Sequence, residues 1–211
     1  MDIYFIRHGE TDWNSEGKAQ GRSDIPLNGK GLRQAKQLRD YFKEINITAI
    51  YSSKSLRAHR TAEEISKDHE LIPIIENGFL ELDFGSLDGT PLNNMRINFP
   101  DFYKQWEIDP SKADFPNSEE NLTTLQKRTW SITEKLANLH TDSDRIVIVS
   151  HAFAIYSVLC KALEMPLSNY GRLRLAPGSI SILEATKKVP SDFIGTKWTL
   201  KQLNLHPSKE I

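Results

Sequence analysis

At 211 residues, 38% of them hydrophobic, the chain is long enough to bury a substantial core, and one compact α/β unit is the default expectation. Lysine and arginine total 27 against 28 aspartates and glutamates, which excludes the strong global field of a nucleic-acid-binding or membrane-surface protein and makes any affinity for phosphate a local matter. The single cysteine, Cys160, rules out an internal disulfide framework, and the opening apolar run Ile3–Ile6 is far shorter than a secretory or membrane-spanning segment, so a cytoplasmic location is expected.

Asp2–Ile6 reads as a buried strand that ends abruptly at Arg7-His8-Gly9. Glu10–Leu27, with Gly17, Gly21 and Pro26 and no sustained period, reads as a long loop over the sheet edge. Asn28 suits a helix cap, and Leu32, Ala35, Leu38, Phe42 and Ile45 follow at helical spacing, for a helix through about Glu44. Ala49–Ser52 is a second strand, and Ser53 can cap a helix running to roughly Lys67, which places Arg57 in its first turn.

Leu71–Ile75 is expected as a third strand, and Asn77–Gly89 as an irregular stretch with Glu81 between Leu80 and Leu82. Short helices fit Pro91–Ile108, with Pro91 at a first helical position; Phe102, Tyr103 and Trp106 there read as core or pocket wall, with a role in substrate shape open to them. A long helix over about Ser118–Leu139 leads to a buried strand, Arg145–Val149, ending at Ser150-His151. Ala152–Leu163 is the next helix, with Cys160 packed inside it, and Ser179–Glu184 and Lys197–Leu203 are β-rich segments around a turn at Lys187–Asp192. This alternation predicts a three-layer α/β/α sandwich on a mostly parallel central sheet, forming one catalytic domain over residues 1–206 with a loose tail at 207–211.

His8 and His151 each fall just past the carboxyl end of a predicted buried strand, where open α/β sheets gather their ligands. Arg7 adjoins His8, and Arg57 sits where helix amides also favour anions; guanidinium forks match phosphate oxygens. His59, His69, His140 and His206 lack such placement and read as surface or packing residues.

Arg7-His8-Gly9-Glu10-Thr11-Asp12-Trp13-Asn14 resembles the opening motif of the histidine phosphatase superfamily, the phosphoglycerate mutase-like family. Gln20-Gly21-Arg22-Ser23-Asp24-Ile25-Pro26-Leu27, then Tyr51-Ser52-Ser53 with Leu56-Arg57-Ala58 and Thr61-Ala62, Glu81-Leu82-Asp83-Phe84-Gly85, and Val149-Ser150-His151 continue the resemblance in family order from residue 3 to residue 151. The resemblance implies a phosphoglycerate mutase-like fold, His8 as nucleophile, Arg7, Arg57 and His151 as holders of the phosphoryl oxygens, and Glu81 as proton donor. It also places Asn14, Gln20 and Gly21 around the phosphate pocket. The substrate it implies is a small phosphorylated metabolite, with no metal or other cofactor, no nucleic acid and no membrane; no protein partner is indicated.

Two departures stand out: Ser118-Glu119-Glu120-Asn121 where relatives often carry glycine-glycine-glutamate-serine, and Ala152 where glycine is usual. Mutases of the family typically carry a longer insertion between the acid and the second histidine, whereas 70 positions separate Glu81 from His151 here. The expected activity is therefore that of a metal-independent phosphomonoesterase, a phosphoric monoester hydrolase of the histidine acid phosphatase type working through a phosphohistidine. The alternatives are a bisphosphoglycerate-primed phosphoglycerate mutase, a phosphate-pocket binding protein without turnover, and a metallohydrolase built on His8 and His151, which the crowding of two arginines disfavours.

Overall fold

The structure, a computed structural model, describes residues 1–187 and 196–207. Strands β1 (Asp2–Arg7), β2 (Ala49–Ser52), β3 (Ile74–Ile75), β4 (Arg145–Ser150), β5 (Ile180–Thr186) and β6 (Lys197–Leu205) form one sheet in the order β3-β2-β4-β1-β5-β6. The first four in that order run parallel; β5 pairs antiparallel with β1, and β6 antiparallel with β5.

Successive side chains of a strand face opposite sides, and here both sides are apolar. Ile3, Phe5, Ile146 and Ile148 pack with Leu136 of α6 (Leu122–Leu139) and with Ile155 and Val158 of α7 (Ala152–Ala162). Tyr4, Ile6, Val147 and Val149 pack on the other face with Leu38 and Phe42 of α2 (Gly29–Phe42) and Ala58, Ala62 and Ile65 of α3 (Leu56–Ser66). The expected three-layer α/β/α arrangement on a mostly parallel sheet is therefore present. Truncating a wholly buried side chain such as Ile148 to alanine costs about 2–5 kcal/mol in such a setting.

Several boundaries differ from the sequence reading for local reasons. Asp12–Ser15, expected within a loop, forms the four-residue helix α1: Thr11 and Asn14 make a reciprocal capping box too short to leave a periodic signal. Ser53 does not cap α3; Ser55 holds the cap position without a side-chain cap bond. The third strand shrinks to Ile74–Ile75, both exposed at the sheet edge. Helix α6 starts at Leu122 because Asn121 Oδ1 accepts from the Thr124 amide at 3.0 Å. The turn expected around Lys187–Asp192 and the tail at 207–211 lie outside the described residues beyond Lys187 and Pro207.

Between β3 and α6 the chain forms short 3₁₀ turns plus α4 (Met95–Asn98) and α5 (Pro100–Ile108), the latter with Pro100 at its first position. Leu82, Phe84, Met95, Phe102 and Phe115 build a third apolar cluster under this segment. Among the described residues no helix is long and apolar enough to cross a membrane.

Candidate active site

Three strands that are neighbours in space, β2, β4 and β1, deliver Ser53, His151 and His8 to one end of the sheet. The ladder continues past the strand ends, with the His8 amide donating to the Ser150 carbonyl at 3.0 Å and the Ser53 amide to the Val149 carbonyl at 3.0 Å. The imidazoles of His8 and His151 consequently meet edge to face with centroids 5.1 Å apart, both almost wholly buried.

The protonation of His8 follows from its partners. Nδ1 lies 2.7 Å from the Gly9 carbonyl, which can only accept, so Nδ1 carries the hydrogen and Nε2 keeps a free lone pair. Burial, then the nearby Arg57 and Arg7 charges, hold its pKa well below the ordinary 6.5. His8 is thus a neutral imidazole with its nucleophilic nitrogen toward Arg57, whose Nε donates to Nε2 at 3.3 Å.

Arg57 is 0% exposed, an unusual state for a guanidinium. Its Nη1 donates to the Ser23 carbonyl and its Nη2 to the Gly21 carbonyl, each at 2.8 Å, so backbone oxygens of the loop before α2 fix the fork. Arg7 donates through Nη1 to the Leu175 carbonyl at 2.7 Å and leaves Nε buried without a partner. The carboxyl group that faces both arginines is Glu81.

Glu81 sits at the amino terminus of α7. Its Oε1 accepts from the Leu82 amide at 2.9 Å and the Ala154 amide at 3.2 Å, and its Oε2 from the Phe153 amide at 3.2 Å. Burial nonetheless outweighs these amides and the two arginines and raises its pKa above the ordinary carboxylate value. A buried carboxyl shifted toward its acid form can give a proton, and a neutral imidazole with an open lone pair can act as a nucleophile.

The structure brings together all the residues to which the sequence assigned chemistry: Arg7, His8, Arg57, Glu81 and His151. The loop residues occupy more specific places. Asn14 Nδ2 donates to Gln20 Oε1 at 3.1 Å, as does Thr11 Oγ1 at 2.7 Å, so Asn14 works by orienting the Gln20 amide, whose Nε2 remains buried and unpartnered. The Gly21 amide is occupied by Asp88 Oδ1 at 2.7 Å; its close approach is to Leu82 and Phe84, where an added Cβ would lie 2.6 Å from the Leu82 carbonyl oxygen. Gly21 thus contributes a carbonyl that aims Arg57.

Several participants carried no legible signal. Ser53, read as a helix cap, places Oγ 2.9 Å from His151 Nε2. Asp88 accepts from both the Gly21 and Ser23 amides and so holds the loop that holds Arg57. Glu120, within the departing Ser-Glu-Glu-Asn segment, binds Arg22 at 3.1 Å, Arg128 at 2.7 Å and the Asp83 amide at 2.9 Å, tying the segment after Glu81 to α6. Their signal was spatial convergence across long sequence separations, which no local pattern records. Among the described residues no three of His, Cys, Asp and Glu converge in metal-holding fashion.

Three buried nitrogens lack partners around this constellation: Arg7 Nε, Gln20 Nε2 and His151 Nδ1. Burying a polar group unpaired costs about 1–3 kcal/mol, and the buried Arg57 and half-buried Arg7 share Glu81, a carboxyl that burial drives toward neutrality. Such a site is electrostatically incomplete without an anion.

The sequence matches the histidine phosphatase superfamily (branch 1) over residues 3–192. It is 31% identical over 207 residues, 97% of this chain and 94% of the relative, to a Bacillus subtilis protein named uncharacterized phosphatase PhoE. It is 33% identical over 181 residues, 86% of this chain and 83% of the relative, to an Escherichia coli protein named "Probable phosphoglycerate mutase GpmB". A crystal structure of a mutant phosphoserine phosphatase from Entamoeba histolytica, in complex with phosphoserine, superimposes with TM-score 0.82 at 27% identity, covering 96% of each chain. The strand-end histidines, the arginines Arg7 and Arg57 beside them and these matches together make the chain a member of the histidine phosphatase superfamily.

Proposed function

We propose that the protein is a metal-independent phosphomonoesterase of small phosphorylated metabolites, acting in the cytoplasm as one catalytic domain through a phosphohistidine on His8. The observation that carries the reading is the fixed neutral tautomer of His8, with its Nε2 lone pair beside the buried Arg57 and with the half-buried Arg7 nearby.

In the first step Nε2 attacks phosphorus in line and the ester oxygen–phosphorus bond breaks, with Glu81 giving its proton to the departing alkoxide. The bound phosphoryl group takes the place of the Arg57–His8 hydrogen bond, and Arg7, Arg57, Gln20 and His151 supply donors to its oxygens. A His151 that accepts the Ser53 hydroxyl proton at Nε2 presents an Nδ1–H for that purpose. In the second step the Glu81 carboxylate takes a proton from water, the water oxygen bonds to phosphorus, and the nitrogen–phosphorus bond breaks, releasing phosphate and restoring both groups.

The second reading, a bisphosphoglycerate-primed mutase, is favoured by the likeness to the mutase-named relative. Incubation with 3-phosphoglycerate and primer separates the two. Free phosphate production that His8→Ala abolishes and a chelator leaves intact is the expected result; stoichiometric 2-phosphoglycerate without free phosphate would overturn the phosphatase assignment.

A further inference from the structure

Beside the phosphoryl site lies a cavity of about 320 Å³, within the range of small-molecule sites. Its wall is formed by Phe84, Tyr103, Trp106, Phe115, Phe153 and Tyr170, together with aliphatic neighbours, and none of the residues lining it is charged. The rings are mutually braced: Trp106 lies 5.7 Å from Phe115, 6.1 Å from Phe153 and 5.8 Å from Tyr170, in edge-to-face geometry.

Two connections fix the cavity's relation to the chemistry. Phe153 lines it, and the Phe153 backbone amide donates to Glu81 Oε2, the carboxyl that must reach the leaving oxygen. Phe84 lines it and abuts Gly21, whose carbonyl holds Arg57. An alcohol protonated by Glu81 therefore departs next to the aromatic wall. The charged side chains lie instead in a separate cleft lined by Arg22, Asp24, Lys54, Ser55 and Leu80, where Arg22 is paired with Glu120 and Asp24 accepts from the Leu56 amide at 2.7 Å.

We infer that the leaving group is a neutral, apolar alcohol seated in this aromatic cavity, so that the preferred substrates are phosphate monoesters of aryl-alkyl or bulky aliphatic alcohols in place of carboxylate-bearing phosphoserine or phosphoglycerate. This inference rests on the phosphohistidine reading and narrows its substrate class. The desolvation that favours an apolar ring disfavours a carboxylate, which would meet no cation in the cavity wall.

The test compares kcat/KM for ethyl phosphate, 2-phenylethyl phosphate, O-phosphoserine and 3-phosphoglycerate, where the first two leaving groups differ chiefly in apolar bulk. Burial of the phenyl ring predicts about 10- to 100-fold preference for 2-phenylethyl over ethyl phosphate, with both carboxylate substrates below 2-phenylethyl phosphate. Trp106→Ala should shrink the phenylethyl-to-ethyl ratio several-fold; should that variant fail to fold, Leu92→Glu, at a cavity residue 58% exposed, should shrink it too. A ratio near one, or a carboxylate substrate ahead of 2-phenylethyl phosphate, overturns the inference. If His8→Ala also turns over these substrates at the wild-type rate, it is the phosphohistidine reading that fails.

Discussion

The end of the sheet and the segment between Glu81 and α6 make opposite kinds of structure. At the strand ends, polar side chains are fixed singly, each by an identifiable donor or acceptor: Gly9 for His8, Gly21 and Ser23 for Arg57, Leu175 for Arg7. Across residues 82–115 the chain fixes rings collectively, by packing Phe84, Phe102, Trp106 and Phe115 against one another. The first arrangement tolerates no substitution because each bond has one address, whereas the second can change shape with a few replacements. Bonds with single addresses at one end and collective packing at the other is the division this contrast teaches.

Glu81 sits at the joint of the two regions, and its replacement should produce the largest effect among variants that keep the nucleophile. Glu81→Gln is expected to lower kcat by about 10²- to 10⁴-fold for alkyl phosphates, whose alkoxides need a proton. The loss should be much smaller for 4-nitrophenyl phosphate, whose phenolate leaves unaided. Equal losses for both substrates would move Glu81 from proton donor to a purely structural role.

How much of this division was readable in the sequence follows from the same contrast. His8, His151 and Arg57 were legible because buried strands and a helix start announce themselves by periodicity, and topology then carries strand ends together. The sheet, its layers and most helices were legible for that reason also. Ser53 was misread because a serine before a helix satisfies the cap pattern equally well, and only the register of β2 beside β4 shows that its hydroxyl meets His151. Apart from α4 and α5, the 82–115 segment has short turns with no period, so its cavity could be anticipated only as an aromatic composition.

A smaller effect is expected at Ser53. Ser53→Ala removes one hydrogen bond from His151 and should lower kcat/KM by about 2- to 10-fold, with the fold retained and the pH profile displaced. No displacement of the profile would mean that Ser53 does not govern His151 protonation.

The smallest effect separates the regions by pH. His8 and His151 are held well below 6.5, chiefly by burial, whereas the cavity's Tyr170 hydroxyl is pushed up to about 12 and stays silent near neutrality. Below 6.5 the unfolded chain takes up protons that the folded histidines refuse, so the stability they contribute is complete above that pH and is lost as pH falls toward their folded values. Glu81, raised by burial, works in the opposite sense, its contribution fading as pH rises above 4.5 through its folded value. Thermal unfolding in phosphate-free buffer should therefore show a midpoint that drops on acidification below 6.5, by about 2–4 °C for each 1 kcal/mol, and His8→Asn should flatten the drop. An unchanged slope in that variant would remove His8 from the set of buried neutral histidines.

The most direct measurement of the central claim is acid- and alkali-quenched trapping of the phosphoenzyme during turnover of a labelled monoester. The account predicts label on the wild-type protein that survives alkali, is lost in acid, maps to His8 and is absent from His8→Ala. Turnover with no protein-bound label under conditions that trap a phosphohistidine standard, or label equally present in His8→Ala, would contradict it.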